Sequence, residues 1–204
     1  LPPSILALVG KYDIKVDDGD LAKWAVDEER TTETRSAVLE LLASRKAEQT
    51  PNLIKNFLTS KHATLRITAR RMLARNDPAA AVASVEQSTR AASATTAELQ
   101  AGLRLLSEVG RPDADILIAA ALRELVTGDR SSATKWPYVS NLELDVVEAA
   151  STRKVGLLSE LLTQYAGNLK QASESDPLSK FRPAKSGGDP EAEKLAKMGS
   201  TCAS

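Results

Sequence analysis

With 204 residues the chain can bury about 70% of the surface its unfolded form exposes, so a real core is available. Lysine plus arginine and aspartate plus glutamate each number 27, and this neutrality speaks against a dedicated nucleic-acid binder, which carries a strongly basic face or tail. No apolar run reaches the roughly 18 residues a membrane-spanning helix needs, and a single cysteine, Cys202, excludes an internal disulfide framework.

Only seven residues are aromatic, β-branched residues are scattered, and alanine and leucine abound. A sheet protein needs alternating runs of valine, isoleucine and tyrosine, so this composition predicts an all-α fold. The chain opens Leu1-Pro2-Pro3, with neither an initiator methionine nor a signal peptide, and reads as a piece of something longer. SILALVG (4–10) and DLAKWAVDE (20–28) predict an irregular helical entry over residues 1–30, with Asp18 or Asp20 capping the second helix. In TRSAVLELLAS (34–44), Val38, Leu41 and Leu42 recur at i, i+3 and i+4, and Thr31, Thr32 and Thr34 offer N-cap hydroxyls. In TPNLIKNFLTS (50–60), Thr50 can cap, Pro51 suits the first turn, and Leu53, Ile54, Phe57 and Leu58 form the next stripe. ATLRITARRMLARND (63–77) repeats the pattern with Leu65, Ala69, Met72 and Leu73, and Asn76-Asp77-Pro78 closes that helix and opens another.

These segments superpose with an internal period. Leu42 falls on Leu73, and Leu73 on Leu106 in TAELQAGLRLLSEVG (96–110), in steps of 31 and 33 residues. Each longer helix is followed by a partner, at 51–60, 78–89 and 112–127. A two-helix unit of this period is the signature of an α-solenoid, in which no pair buries its apolar face alone and neighbours must stack. Stacked antiparallel helix pairs are therefore expected over residues 31–170. LELDVVEAAS (142–151) and VGLLSELLTQYAGNL (155–169) make a fourth pair, displaced by the insertion DRSSATKWPYVSN (129–141). Trp136, Pro137 and Tyr138 in that insertion either cover the end of the third pair or form a partner-binding spot, since aromatic anchors are enriched at interfaces. Residues 171–188 are polar and rich in proline and glycine, a linker with room for a short helix at 176–182. A last helix is predicted from Asp189, with Pro190 at its first position.

Candidate chemistry is sparse. His62, the only histidine, lies in the turn SKHAT, 140 positions from Cys202, and no histidine or cysteine cluster has metal-ligand spacing. Asp17, Asp18 and Asp20 lack the alternation and twelfth-position glutamate of a calcium loop, so helix capping accounts for them. Arg66 and Arg70 share one helical face at i, i+4, as do Arg71 and Arg75. They form either a basic groove for phosphate or an acidic partner, or a solvated face with an arginine bridging to acidic residues of the neighbouring repeat. Glycine-rich phosphate loops are absent, and no catalytic constellation is expected.

The long helix, turn and shorter helix, with small residues where helices meet, resemble HEAT-type repeats over about residues 31 to 170. The C-terminal third resembles a junction in planctomycete-type multidomain dehydrogenase/cytochrome c proteins. Leu142, Leu144, Asp145, Glu148, Ala149 and Ala150 match an "LxLDxLEAA" helix of that family. Asp176, Pro177, Leu178 and Phe181 match its "DPLxxY/F" segment, and Gly187, Gly188, Asp189 and Glu191 the opening of its cytochrome domain over residues 189–204. The chain departs from the family at Glu193 and Lys194, where glycine stands, and it has no phenylalanine before the cysteine and no CxxCH motif. The resemblance implies a non-catalytic spacer between a dehydrogenase-like domain and a c-type cytochrome domain of an extracytoplasmic redox protein. Its partners would be proteins or adjacent domains, without nucleic acid. Cys202 would be a haem thioether cysteine only where the polypeptide continues as CxxCH, so no cofactor is expected in these residues themselves. The alternative is an interaction solenoid unrelated to redox chemistry. A lyase built on such repeats would need a polar catalytic constellation, and a nucleic-acid-binding one a basic surface.

Overall fold

The computed structural model describes residues 2–12, 14–91, 93–128, 136 and 139–175, and among these residues the only regular structure is helical. In chain order the helices are α1 (Pro3–Lys11), α2 (Asp18–Val26), α3 (Thr32–Ser44), α4 (Thr50–Leu58), α5 (Ala63–Asn76), α6 (Pro78–Thr89), α7 (Thr96–Val109), α8 (Pro112–Thr127), α9 (Glu143–Arg153) and α10 (Gly156–Ser175). A short 3₁₀ turn, Val139–Leu142, leads into α9. The expected helices at 176–182 and from 189, together with Tyr138 and Cys202, lie outside the described residues.

Local chemistry fixes the boundaries. Thr31 Oγ1 accepts from the Thr34 N–H at 3.2 Å, Asp77 Oδ1 from Ala80 at 3.0 Å and Thr95 Oγ1 from Glu98 at 3.2 Å, each satisfying an orphan donor of a first turn. Pro51, Pro78 and Pro112 occupy first-turn positions, where a missing N–H costs nothing. Gly110 and Gly128, with φ of 69° and 66°, close α7 and α8 in the left-handed region that glycine adopts freely. Two expected caps shift. Asp17, rather than Asp18 or Asp20, caps α2 by accepting the Asp20 N–H at 3.0 Å, because the helix starts at Asp18. Thr50 is the first residue of α4 instead of its cap. A tight turn, in which Ala47 accepts from the Thr50 N–H, starts the helix one residue earlier and leaves the buried Thr50 hydroxyl with no partner.

The chain divides into two units, Leu1–Leu162 and Thr163–Ser204, with the boundary inside α10. In the first unit the odd-numbered helices lie side by side in the order α1, α3, α5, α7, α9, each packed on the next. The even-numbered helices pack against them, with α2 on α3, α4 and α6 on α5, and α8 on α7 and α9. Within the even layer α2 meets α4 and α6 meets α8, whereas α4 and α6 are not packed face to face. The insertion before α9 does not interrupt the layering, since α9 rests on both α7 and α8. The described part of the second unit is the remainder of α10, where Leu169 is half exposed.

The apolar stripes meet between the layers. Leu21, Val38, Leu39, Leu42, Phe57, Leu65 and Met72 form one continuous cluster through α2 to α5, and Leu99, Leu103, Leu106, Ile118 and Leu122 are buried in α7 and α8. Each such side chain contributes roughly 1.5–3 kcal/mol relative to exposure, more than helix propensity alone supplies. Small residues set the spacing: a Cβ on Gly102 of α7 would lie 3.0 Å from Val85 Cγ1 of α6. Among the described residues no helix is long and apolar enough to cross a membrane.

Gly102→Val should destabilise the protein by about 1–3 kcal/mol, because the new methyls overpack the α6–α7 contact and outweigh the gain in helix propensity. Val85→Ala should recover part of that loss in a double-mutant cycle read by urea denaturation, whereas strict additivity would show that the two residues do not meet.

Candidate functional site

The densest polar constellation sits where α5 faces α7. Arg66 and Arg70 are one turn apart and so project from the same side of α5. Both reach Glu98 in the first turn of α7. Arg66 grips the carboxylate with two nitrogens, Nε to Oε1 at 2.8 Å and Nη2 to Oε2 at 2.6 Å, while Arg70 Nη1 donates to Oε1 at 2.6 Å. Two further donors are anchored locally: Arg66 Nη1 on the Ser60 carbonyl at 2.6 Å, and Arg70 Nε on Ser84 Oγ of α6 at 3.1 Å. One carboxylate thus holds two guanidinium groups, with Glu98 1% and Arg70 6% exposed. Burial pushes the Glu98 carboxyl up, but hydrogen bonds from Arg66 and then Arg70, with the charges of both, outweigh that and hold it below its ordinary value of 4.5.

Two cavities flank this cluster, and Arg70 and Glu98 line both. One, of about 690 Å³, runs between α5 and α7 with Ile67, Ala74 and Leu105 in its wall and Arg71, Arg75 and Arg104 along its edges. The other, of about 630 Å³, occupies the gap left between α4 and α6. It is walled by Leu58, Leu73 and Ala83 and carries the hydroxyls of Ser60, Ser84 and Ser93 together with Lys55, Arg66 and Arg70.

Arginine bridging between successive helices therefore extends further than a single residue. Arg66 and Arg70 both bridge α5 to α7, and Arg71 pairs with Glu40 of α3 on the other side. Arg153 of α9 continues the pattern by binding Asp115 of α8 at 2.6 and 3.1 Å. Arg75 is exposed and reaches only its own helix, at Met72 Sδ. Trp136 is 3% exposed: its N–H donates to Glu124 Oε1 at 3.2 Å and its indole Nε1 to the Leu117 carbonyl at 3.3 Å, so the ring covers α8. His62 stands at the N-cap of α5, where its N–H donates to Ser60 Oγ. Among the described residues no three histidine, cysteine, aspartate or glutamate side chains gather as metal ligands would. Glu98 was not singled out by sequence reasoning. Its signal is a separation of 32 residues from Arg66, within the 31–33-residue spacing of the leucine stripes, with opposite charge.

Comparison with protein-family models, characterised proteins and solved structures finds no match.

Replacing Glu98 with glutamine should cost about 3–5 kcal/mol at neutral pH, because the buried Arg70 and part-buried Arg66 lose their common counter-ion. The carboxyl is depressed in the folded state, so its contribution is present above the unfolded value of 4.5 and is lost as the pH falls through the lower folded value. Urea melts from pH 7 downward should show the gap between the wild type and Glu98→Gln narrowing below about pH 4.5. A gap that stays constant would mean that the carboxyl titrates normally.

Proposed function

We propose that the chain is a non-catalytic helical-repeat scaffold, an α-solenoid of HEAT-like pairs that holds flanking domains of one polypeptide at a fixed separation. The observation that carries this reading is the ordered packing of α3, α5, α7 and α9, with α4, α6 and α8 against them, tied by Glu40–Arg71 between α3 and α5, Arg66–Glu98–Arg70 between α5 and α7, and Asp115–Arg153 between α8 and α9. Inter-helix ion pairs of this kind set register between neighbours more than they add net stability. The units they join would behave as one body, which is the mechanical property a spacer needs. By the resemblance of residues 142–195, the domains separated are a dehydrogenase-like domain and a c-type cytochrome domain of an extracytoplasmic protein. Chemistry then resides in those domains, and this segment supplies distance and a docking face.

Spin labels on Glu29→Cys and Glu148→Cys in a Cys202→Ser background test the mechanical claim within the first unit. A spacer gives a single narrow distance distribution by double electron–electron resonance, and a broad or bimodal one would count against it. The same preparation should be helical and colourless, and a Soret band in wild-type protein made with a haem-attachment system would sink the non-cofactor reading.

A further inference from the structure

We propose that the gap between α4 and α6 is a binding site for the phosphate monoester of a small organic molecule. The inference goes beyond the scaffold reading and does not depend on it. The gap exists because α4 and α6, unlike their neighbours in the even layer, are not packed on each other, so the inner face of α5 opens to solvent between them. At about 630 Å³ the cavity falls within the range of small-molecule sites.

Its charged groups are donors apart from one carboxylate, and Gln87 and the hydroxyls of Thr59 and Ser88, which donate to the Asn56 and Val85 carbonyls, complete the polar lining. Lys55, Arg66 and Arg70 line it against a single carboxylate, an excess of two positive charges in a chain whose total is zero. The acceptor capacity of Glu98 is directed to the two arginines, and the residue is 1% exposed. Ser84 Oγ accepts from Arg70 Nε and Ser60 Oγ from the His62 N–H, so each hydroxyl keeps its own hydrogen to give. Arg70 Nη2 makes no bond among the described residues. A neutral polyol would leave the positive excess uncompensated. A phosphate monoester brings about −1.5 to −2 charge at neutral pH with three acceptor oxygens, which matches the excess in sign and size. Phosphate alone fills a small part of the cavity, and the apolar wall of Leu58, Leu73, Ala83, Ala91 and Ala94 accommodates an organic body.

Phenyl phosphate, inorganic phosphate, benzoate and phenol, titrated calorimetrically into the whole chain, separate the contributions. Phenyl phosphate should bind with a Kd of about 1 mM or tighter. Inorganic phosphate and benzoate should be weaker by about fivefold or more, since each lacks the organic body or the dianion, and phenol should give no heat. Ser84→Ala should weaken phenyl phosphate about tenfold through the lost donor. That hydroxyl also steadies Arg70, so Ala83→Glu provides an independent variant: it places a carboxylate at an exposed wall position on a helix that tolerates it. It should abolish binding while leaving the thermal midpoint unchanged, and Arg75→Glu, which borders the other cavity, should bind as wild type does. Absence of heat from phenyl phosphate at about 10 mM overturns the proposal, because a millimolar site would be nearly full there. So does undiminished binding by Ala83→Glu. Benzoate binding as tightly as phenyl phosphate would make it a carboxylate site, and inorganic phosphate doing so would remove the organic body; either result overturns the monoester assignment.

Discussion

Helices of nine to sixteen residues, the lengths of α1 to α9, do not persist alone in water, and each here has one apolar stripe to hide. Everything else in the first unit follows from how those stripes are covered. The inner odd-numbered helices α3, α5 and α7 are each flanked by two odd-numbered neighbours and backed by even-numbered helices. That demand explains why leucine recurs at one position per period, and why glycine and alanine stand where helices approach, as at Gly102 and Ala69. It also explains what happens where the demand lapses. Between α4 and α6 no helix is packed over α5, and Arg66, Arg70, Ser84 and Glu98 line the gap beside Leu58 and Leu73.

A buried carboxylate between two arginines is an expensive way to join helices. Desolvating three charges costs several kcal/mol per ion, and apolar residues of similar volume often do as well or better. What the ion cluster supplies is direction. Glu98 accepts Arg66 through a fork of fixed geometry and Arg70 from one turn further along, so sliding α7 by one residue would break all three bonds. Leucine stripes tolerate such a slip far better, because neighbouring apolar side chains are interchangeable. Asp115–Arg153 makes a comparable two-pronged contact between α8 and α9, whereas Glu40–Arg71, between α3 and α5, lies at the surface and adds little. The apolar stripes hold the layers together, and at the α5–α7 contact the fork on Glu98 favours one register.

Most helices were legible because their signals are local. The i, i+3, i+4 stripes and the prolines at Pro51, Pro78 and Pro112 fall within single turns, and the helices lie where those signals put them. The misread caps were local as well, but they hung on a one-residue choice. Asp17, Asp18 and Asp20 can each cap, and only the path of the incoming chain selects Asp17. Glu98 failed for a different reason. In Thr95-Thr96-Ala97-Glu98 it occupies the third position of a capping box, where a glutamate ordinarily turns back to the N-cap N–H. Here Thr95 does its half, accepting the Glu98 N–H, while the carboxylate turns outward to α5. Nothing within that turn announces the arginines, which lie 32 and 28 residues earlier in the chain. Periodicity located the helices, yet the partner of a charge is chosen across the interface.

The same distinction governs what neutrality implies. A total of zero averages over the whole surface, but Coulomb interactions between exposed charges fade within about 8–10 Å at physiological salt, less than the length of one of these helices. A ligand in the gap between α4 and α6 therefore meets the local excess of Lys55, Arg66 and Arg70 over Glu98 and little of the compensating acids elsewhere. Paired arginines also remain useful to an anion, since a guanidinium offers five donors and no carboxylate consumes them all. Arg66 has spent its nitrogens on Glu98 and Ser60, whereas Arg70, on the same carboxylate, keeps Nη2. The asymmetry between two neighbouring arginines gives the cluster two roles: Arg66 locks the register, and Arg70 stands at the partition between two cavities with a donor in reserve.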